Sequence, residues 1–185
     1  MSAEVEQAIV EECVGAAHGD LSKVRELVER HPELVNARAS WNETPIEAAT
    51  QLGRRDIIEY LLATGASLDF YTACVLGRRD QVEAELAADP ARARARGVHD
   101  LPVLYFAAIG GQREIAELLL AAGAGVNEAT DAAAPIHGAV MGRSAELIEW
   151  LLRHGASPEA TDFDGRTARQ LAEAVGEPEL ARLFA

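Results

Sequence analysis

The sequence contains few aromatic residues and almost no cysteine. Two tryptophans, three tyrosines and four phenylalanines make up 5% of the 185 residues, whereas hydrophobic residues as a whole make up 49%. The apolar content is therefore mainly alanine and aliphatic side chains, which suit closely packed helices better than a β-sandwich or barrel. Two cysteines, Cys13 and Cys74, are too few for a disulfide scaffold, and we expect a reducing, cytoplasmic location.

Positive charge is also scarce, with 17 lysines and arginines against 30 acidic residues and a net charge of −13. Such a chain repels phosphate backbones and anionic lipid, so we expect neither a nucleic-acid partner nor binding to a membrane surface. No run approaches the length of about 18 apolar residues that a membrane-spanning helix needs. The acidic residues Glu4, Glu6 and Glu11 argue against a signal peptide. The negative charge favours solubility, with steering of a basic partner as the alternative.

Internal repeats run along the whole chain. Residues 44–49, Thr-Pro-Ile-Glu-Ala-Ala, are similar to residues 134–139, Ala-Pro-Ile-His-Gly-Ala. Three segments with the pattern Leu-Leu-x-x-Gly-Ala begin at Leu61, Leu119 and Leu151. A longer period is superimposed on this one, because three pairs of glycines each lie 58 residues apart. These pairs are Gly19 and Gly77, Gly53 and Gly111, and Gly65 and Gly123. The pattern predicts an internal duplication of a two-repeat unit.

These motifs resemble those of the ankyrin repeat family, in degenerate bacterial form. The family pattern is Thr-Pro-Leu-His-x-Ala-Ala, then glycine, then Leu-Leu-Leu-x-x-Gly-Ala-x-x-Asn, and the resemblance covers nearly the whole chain. It implies an all-α solenoid of stacked helix pairs with short β-hairpin fingers. Only residues 44–49 and 134–139 keep the proline, and only His137 keeps the histidine, which in the family bonds to backbone or a neighbouring threonine.

We expect a single ankyrin repeat domain spanning residues 1–185, with polar helix pairs capping both ends. The predicted helix pairs cover residues of about 4–31, 44–64, 69–88, 102–122, 134–154 and 167–184. Thr44 and Glu47 have the spacing of a capping box, with Pro45 in the first helical turn. Trp150 is predicted to lie in the core, and Cys74 to be a small buried residue.

One finger is predicted to be missing. Gly53 and Gly77 are 24 residues apart, whereas Gly19 and Gly53, like Gly77 and Gly111, are 34 apart. Between Gly65 and Asp69 there is room for a tight turn and a helix cap only. The spacing therefore predicts a gap in the row of fingers beside the third helix pair, flanked by the fingers that carry Trp41 and His99.

The leading hypothesis is a monomeric, non-catalytic protein–protein interaction module without cofactor, which binds a protein partner on its concave face and finger tips. The predicted partner-binding residues are Trp41, Glu43, Leu52, Tyr71, Leu76, His99, Asp100, Ile109, Asp131 and Met141. Leu52, Leu76, Ile109 and Met141 form an apolar stripe in this interpretation. The alternative is that such apolar residues pack against the bases of neighbouring fingers.

A second hypothesis is a small-molecule site or an acid/base enzyme site at the gap, near Trp41, Tyr71, His99 and Tyr105. No metal site is expected, because the five histidines and two cysteines are not at ligand spacings. The basic segment 92–96, Arg-Ala-Arg-Ala-Arg, is interpreted as a solvated finger strand, or else as a clamp for an acidic group on a partner.

Overall fold

A computed structural model of the chain describes residues 6–128 and 132–184, and within them it has twelve α-helices and no β-strand. The predicted all-α arrangement of helix pairs is confirmed. The helices are α1 (Gln7–Ala17), α2 (Leu21–Arg30), α3 (Pro45–Gln51), α4 (Arg55–Ala63), α5 (Phe70–Leu76), α6 (Arg79–Ala88), α7 (Val103–Ile109), α8 (Arg113–Ala121), α9 (Pro135–Met141), α10 (Ala145–Arg153), α11 (Ala168–Ala174) and α12 (Pro178–Ala181).

The chain divides into two compact units, Met1–Thr72 and Ala73–Ala185. Within the first unit the inner helices α1 and α3 pack on each other, and within the second unit α7 packs on α9 and α9 packs on α11. The core is aliphatic and rich in alanine, as the composition requires, and both Cys74 and Trp150 are buried in it as predicted. That both units form a single domain stays a prediction.

Inner helices begin with a shared hydrogen-bonding pattern. The Glu47 carboxylate accepts the backbone N–H of Thr44 at 2.7 Å, which completes the predicted capping box of α3. In α9 the Nδ1 atom of His137 accepts the backbone N–H of Ala134 at 3.1 Å. In α11 the side chain of Gln170 makes the same bond. Three different side chains therefore satisfy the same otherwise unpaired donor at a helix start.

The structure confirms the duplication inferred from the glycine spacing. Helices α2, α3 and α4 have the same bounds as α6, α7 and α8 after a shift of 58 residues. The 3₁₀ helices Pro32–Asn36 and Pro90–Arg94 also correspond after this shift. We call residues 18–69 the first copy and residues 76–127 the second copy. The helices of the two copies therefore correspond position by position. The turn before α7 differs from the turn before α3, because Val98–Asp100 form a 3₁₀ turn in which His99 has a φ of 53°.

The predicted short β-hairpin fingers are not formed in the described residues, where the segments that connect the helix pairs contain no β-strand. Arg96 with Pro102, and Thr161 with Thr167, form isolated antiparallel bridges in the described residues. No finger separates α4 from α5, as predicted. Instead, the Asp69 carboxylate accepts the backbone N–H of Thr72 at 2.7 Å and so caps the start of α5.

The prediction of a solvated strand at residues 92–96 is wrong. Its first half lies in the 3₁₀ helix Pro90–Arg94, because the Asp89 side chain accepts the backbone N–H of Ala91 and starts a helical turn. Arg92 forms an ion pair with Glu85, Arg94 donates to a backbone carbonyl, and Arg96 forms an ion pair with Asp100. These arginines are thus engaged within the chain.

In the part of the chain that the structure describes, no helix has both the length and the apolar character required to span a lipid bilayer. Likewise, the described histidine, cysteine and carboxylate side chains nowhere gather in a group of three that could hold a metal ion.

Candidate functional site

Trp41 lies on a tight turn that leads into α3. The backbone N–H of Asn42 donates to the Ala39 carbonyl at 2.9 Å, and that of Ala39 donates to the Glu43 carbonyl at 2.8 Å. Asn42 adopts a left-handed conformation with φ of 69°, which asparagine tolerates better than most residues. The turn leaves the Trp41 side chain 47% exposed. A large aromatic surface is therefore presented on a hydrogen-bonded turn.

Glu43, two residues further on, points inward and is only 1% exposed. Its Oε2 atom accepts the indole N–H of Trp41 at 2.8 Å, and its Oε1 atom accepts an amide N–H of Gln51 at 2.7 Å. Gln51 is the last residue of α3 and is 8% exposed. The carboxylate thus connects the exposed indole to the end of an inner helix.

His18, at the end of α1, completes the arrangement. Its Nδ1 atom lies 3.1 Å from the Val14 carbonyl oxygen, and its Nε2 atom lies 2.9 Å from the Gln51 amide nitrogen. Because a carbonyl can only accept, we assign the proton of the neutral ring to Nδ1, so that Nε2 accepts from Gln51. Nε2 is also 3.8 Å from the Glu43 carboxylate. We call His18, Trp41, Glu43 and Gln51 the Trp41 network.

In the second copy, aliphatic residues stand at three of the four positions of the Trp41 network. Shifted by 58 residues, its positions are Leu76, His99, Leu101 and Ile109. Leu76, Leu101 and Ile109 are 6%, 5% and 4% exposed, and His99 is exposed. The repeat backbone therefore accommodates aliphatic side chains where the first copy has a histidine, a buried glutamate and a glutamine. The fold itself does not require the polar residues.

The residues predicted from the sequence lie in different environments. In the first unit Trp41 is exposed, Leu52 and Tyr71 are half-buried, and Glu43 is buried. In the second unit His99, Asp100 and Met141 are exposed, whereas Leu76 and Ile109 are buried. Asp131 lies outside the described residues. Their common role in binding stays a prediction, and burial leaves Glu43, Leu76 and Ile109 little surface of their own for a partner.

Sequence reasoning did not single out two members of the Trp41 network or a second exposed aromatic side chain. His18 and Gln51 were not among the predicted contacts because neither belongs to a short motif, and the comparison of the two copies is the signal that could have pointed to them. Phe163 is 75% exposed on the turn before α11, where the Asp162 carboxylate accepts the backbone N–H groups of Asp164 and Arg166. An isolated phenylalanine between two aspartates was the available signal.

The residues proposed for acid/base chemistry do not form a site within either unit. Trp41 and Tyr71 belong to the first unit, and His99 and Tyr105 to the second. Tyr105 is 5% exposed, and burial raises the pKa of its hydroxyl well above the usual value. A hydroxyl that is protonated and buried in this way is poorly suited to exchange protons with a ligand.

Comparison with known proteins agrees with the fold. A family model described as ankyrin repeats (3 copies) matches residues 86–185, which is just over half of the chain. The chain is also 26% identical over 177 residues to an ankyrin repeat protein of Rickettsia felis (strain ATCC VR-1525 / URRWXCal2). That alignment covers 85% of this chain and 68% of the relative. The chain belongs to the ankyrin repeat family.

Proposed function

We propose that the chain is a non-catalytic protein–protein interaction module in which Trp41 is the central contact with the partner. Ankyrin repeats generally mediate interactions between proteins. The observation that carries the proposal is that the exposed indole of Trp41 is held at its N–H by a buried carboxylate, Glu43. Tryptophan is favoured in binding sites because it buries a large area and has few rotatable bonds.

The network lowers the cost of binding by fixing the ring before a partner arrives. Glu43 is held by Gln51, and Gln51 by His18, so the position of the indole is coupled to the ends of α3 and α1. An aromatic ring ordered in advance loses less conformational entropy on binding than a freely rotating one. Glu43, Gln51 and His18 therefore act as positioning residues in the proposal, and the other predicted contacts surround Trp41.

Affinity capture from a lysate of the source organism tests this function. The immobilised wild-type chain is compared with Trp41→Ala and with Phe163→Ala, which removes another exposed aromatic side chain and is the matched control. We expect proteins enriched by the wild-type chain to be retained by Phe163→Ala and lost with Trp41→Ala. Retention of the same proteins by Trp41→Ala would overturn the proposal.

A second variant tests positioning separately from contact. Replacing His18, Glu43 and Gln51 by the residues of the second copy, leucine, leucine and isoleucine, keeps Trp41 but removes its hydrogen-bonded support. We expect weaker capture, with a faster dissociation rate, because the free indole has to be ordered on binding. Capture equal to the wild type would show that the network has no positioning role.

Light scattering and cell fractionation test the monomeric state and the cytoplasmic location that we include in the proposal.

A further inference from the structure

We infer that the face of Trp41 binds a positively charged side chain of the partner, an arginine or a lysine. The inference rests on the proposed function and specifies the chemistry that the same surface recognises. Tryptophan is the aromatic side chain that attracts cations most strongly, because its ring presents negative electrostatic potential on its faces.

The hydrogen bond from Trp41 to Glu43 strengthens the attraction between the indole ring and a cation. The carboxylate accepts the indole N–H at 2.8 Å, so a negatively charged group lies at the edge of the ring and polarises electron density toward its faces. Glu43 is 1% exposed, and water screens a buried charge less than an exposed one. A cation on the exposed part of the indole would therefore be attracted both by the ring and by the Glu43 carboxylate at the edge of the ring.

Basic side chains near the turn in the sequence are held by other groups. Arg38 forms an ion pair with Glu47 at 3.1 Å and also donates to the carbonyl oxygen of Asn42 at 2.6 Å. Arg54, the next basic residue along the chain, forms an ion pair with Asp56 at 3.5 Å. The Nε2 atom of His18 lies 3.8 Å from the Glu43 carboxylate. Arg38 and Arg54 are thus engaged with other groups, and the Trp41 side chain is 47% exposed to a cation from outside.

The second copy lacks both the tryptophan ring and the carboxylate that accepts its N–H. His99 occupies the position of Trp41, and Leu101 that of Glu43. The second copy thus has neither the cation-attracting ring nor the charge beside it. The net charge of −13 acts in the same direction at longer range, because it speeds the approach of basic partners.

A pair of small peptides tests this chemistry directly. The probes are acetyl-Gly-Arg-Gly-amide and the same peptide with citrulline, which has nearly the shape of arginine but no charge. Each is titrated into the ¹⁵N-labelled chain at physiological salt, and the indole N–H signals are followed by NMR. Trp150 is 4% exposed, so its indole signal is an internal reference for non-specific effects.

We expect the arginine peptide to shift the Trp41 signal with saturation, and the citrulline peptide to bind about tenfold more weakly or not at all. Glu43→Gln keeps an oxygen that can accept the indole N–H but removes the charge, and should weaken arginine binding at least about threefold. The variant with leucine, leucine and isoleucine at 18, 43 and 51 should show the same loss, which covers the case in which Glu43→Gln fails to fold.

Equal binding of the two peptides would overturn the inference, as would unchanged arginine binding in both variants or an equal shift at Trp150. These outcomes are distinct from failure of the proposed function. If Trp41→Ala abolishes partner capture while arginine and citrulline peptides bind alike, Trp41 is the contact but not a cation site. If the arginine peptide binds selectively while capture is independent of Trp41, the cation site stands and the proposed function fails.

Discussion

The backbone carbonyl of Val75 lies where a side chain on Gly110 would begin, since a Cβ atom on Gly110 would be 2.2 Å from that oxygen. The next pair of inner helices repeats the relationship, with a Cβ on Gly142 falling 2.4 Å from the Ile109 carbonyl oxygen. Neither glycine has a positive φ, so close packing and not backbone conformation excludes a side chain here. The two contacts set how closely α5, α7 and α9 approach within the second unit.

We therefore expect Gly110→Ala and Gly142→Ala each to lower the free energy of unfolding by about 1–3 kcal/mol, the usual cost of overpacking. The obstructing atoms belong to backbone and cannot rotate away as a flexible side chain would. Urea denaturation, monitored by circular dichroism, measures this loss in the free energy of unfolding.

Gly15→Ala is the matched control for these substitutions. Gly15 lies within α1, and a Cβ there would meet no atom within 4 Å. Alanine is favoured over glycine inside a helix by about 0.5–1 kcal/mol, so this variant should be more stable than the wild type. Equal effects of alanine at positions 15 and 110 would contradict the packing explanation.

The sequence predicted most of the helical framework because its signals are local and repeated. The capping pair Thr44 and Glu47 and the glycines 58 residues apart each depend on a few neighbouring residues, and the observed helices agree with them. The missing finger was predictable for the same reason, since chain length alone limits what lies between Gly65 and Asp69.

The candidate site was only partly predictable, because burial depends on residues far apart in the sequence. Trp41 was identified as exposed, and it is. Glu43 was expected at a finger tip but points inward, since Gln51 and the indole of Trp41 supply donors for its carboxylate there. The role of His18 depends on a contact with a residue 33 positions away, for which no local pattern exists.

Replacing the polar network by the residues of the second copy should not destabilise the fold. We expect the triple variant with His18→Leu, Glu43→Leu and Gln51→Ile to unfold with a free energy equal to or above that of the wild type, because an apolar cluster avoids the cost of burying a carboxylate. Glu43→Leu alone should lose about 1–3 kcal/mol, since Gln51 and Trp41 then lack their acceptor. Denaturation of the two variants side by side measures both values. A triple variant less stable than the wild type would refute this prediction.

His137 should make the fold sensitive to mild acid. Burial lowers its pKa, outweighing backbone hydrogen bonds that act in the opposite direction. The unfolded chain therefore takes up a proton at this residue at a higher pH than the folded chain. The resulting stability is fully present above the ordinary histidine value of about 6.5 and is lost as pH falls below it, by at most about 1.4 kcal/mol per pH unit.

His137→Gln isolates this effect, because Gln170 shows that glutamine can make the same capping bond. The other histidines are present in both the wild type and the variant, so their contributions to the pH dependence of stability cancel in the comparison. Denaturation between pH 7.5 and pH 5, chosen to span the range of about pH 5–8 in which histidine titrates, should show a steeper loss for the wild type. Parallel curves for the two chains would rule out His137 as the acid-sensitive group.

Asn127 joins successive repeats in the second unit by two hydrogen bonds. Its side-chain nitrogen donates to the Gly155 carbonyl at 2.8 Å, and its side-chain oxygen accepts the backbone N–H of Ser157 at 2.7 Å. We expect Asn127→Ala to lower the free energy of unfolding by about 1–3 kcal/mol, at about 0.5–1.5 kcal/mol for each bond. Asn36→Ala, which removes one similar bond to the Gly65 carbonyl, should cost about half as much. If Asn36→Ala proved as costly as Asn127→Ala, the bond to Ser157 would contribute nothing, and the joint between these repeats would depend on the Gly155 carbonyl alone.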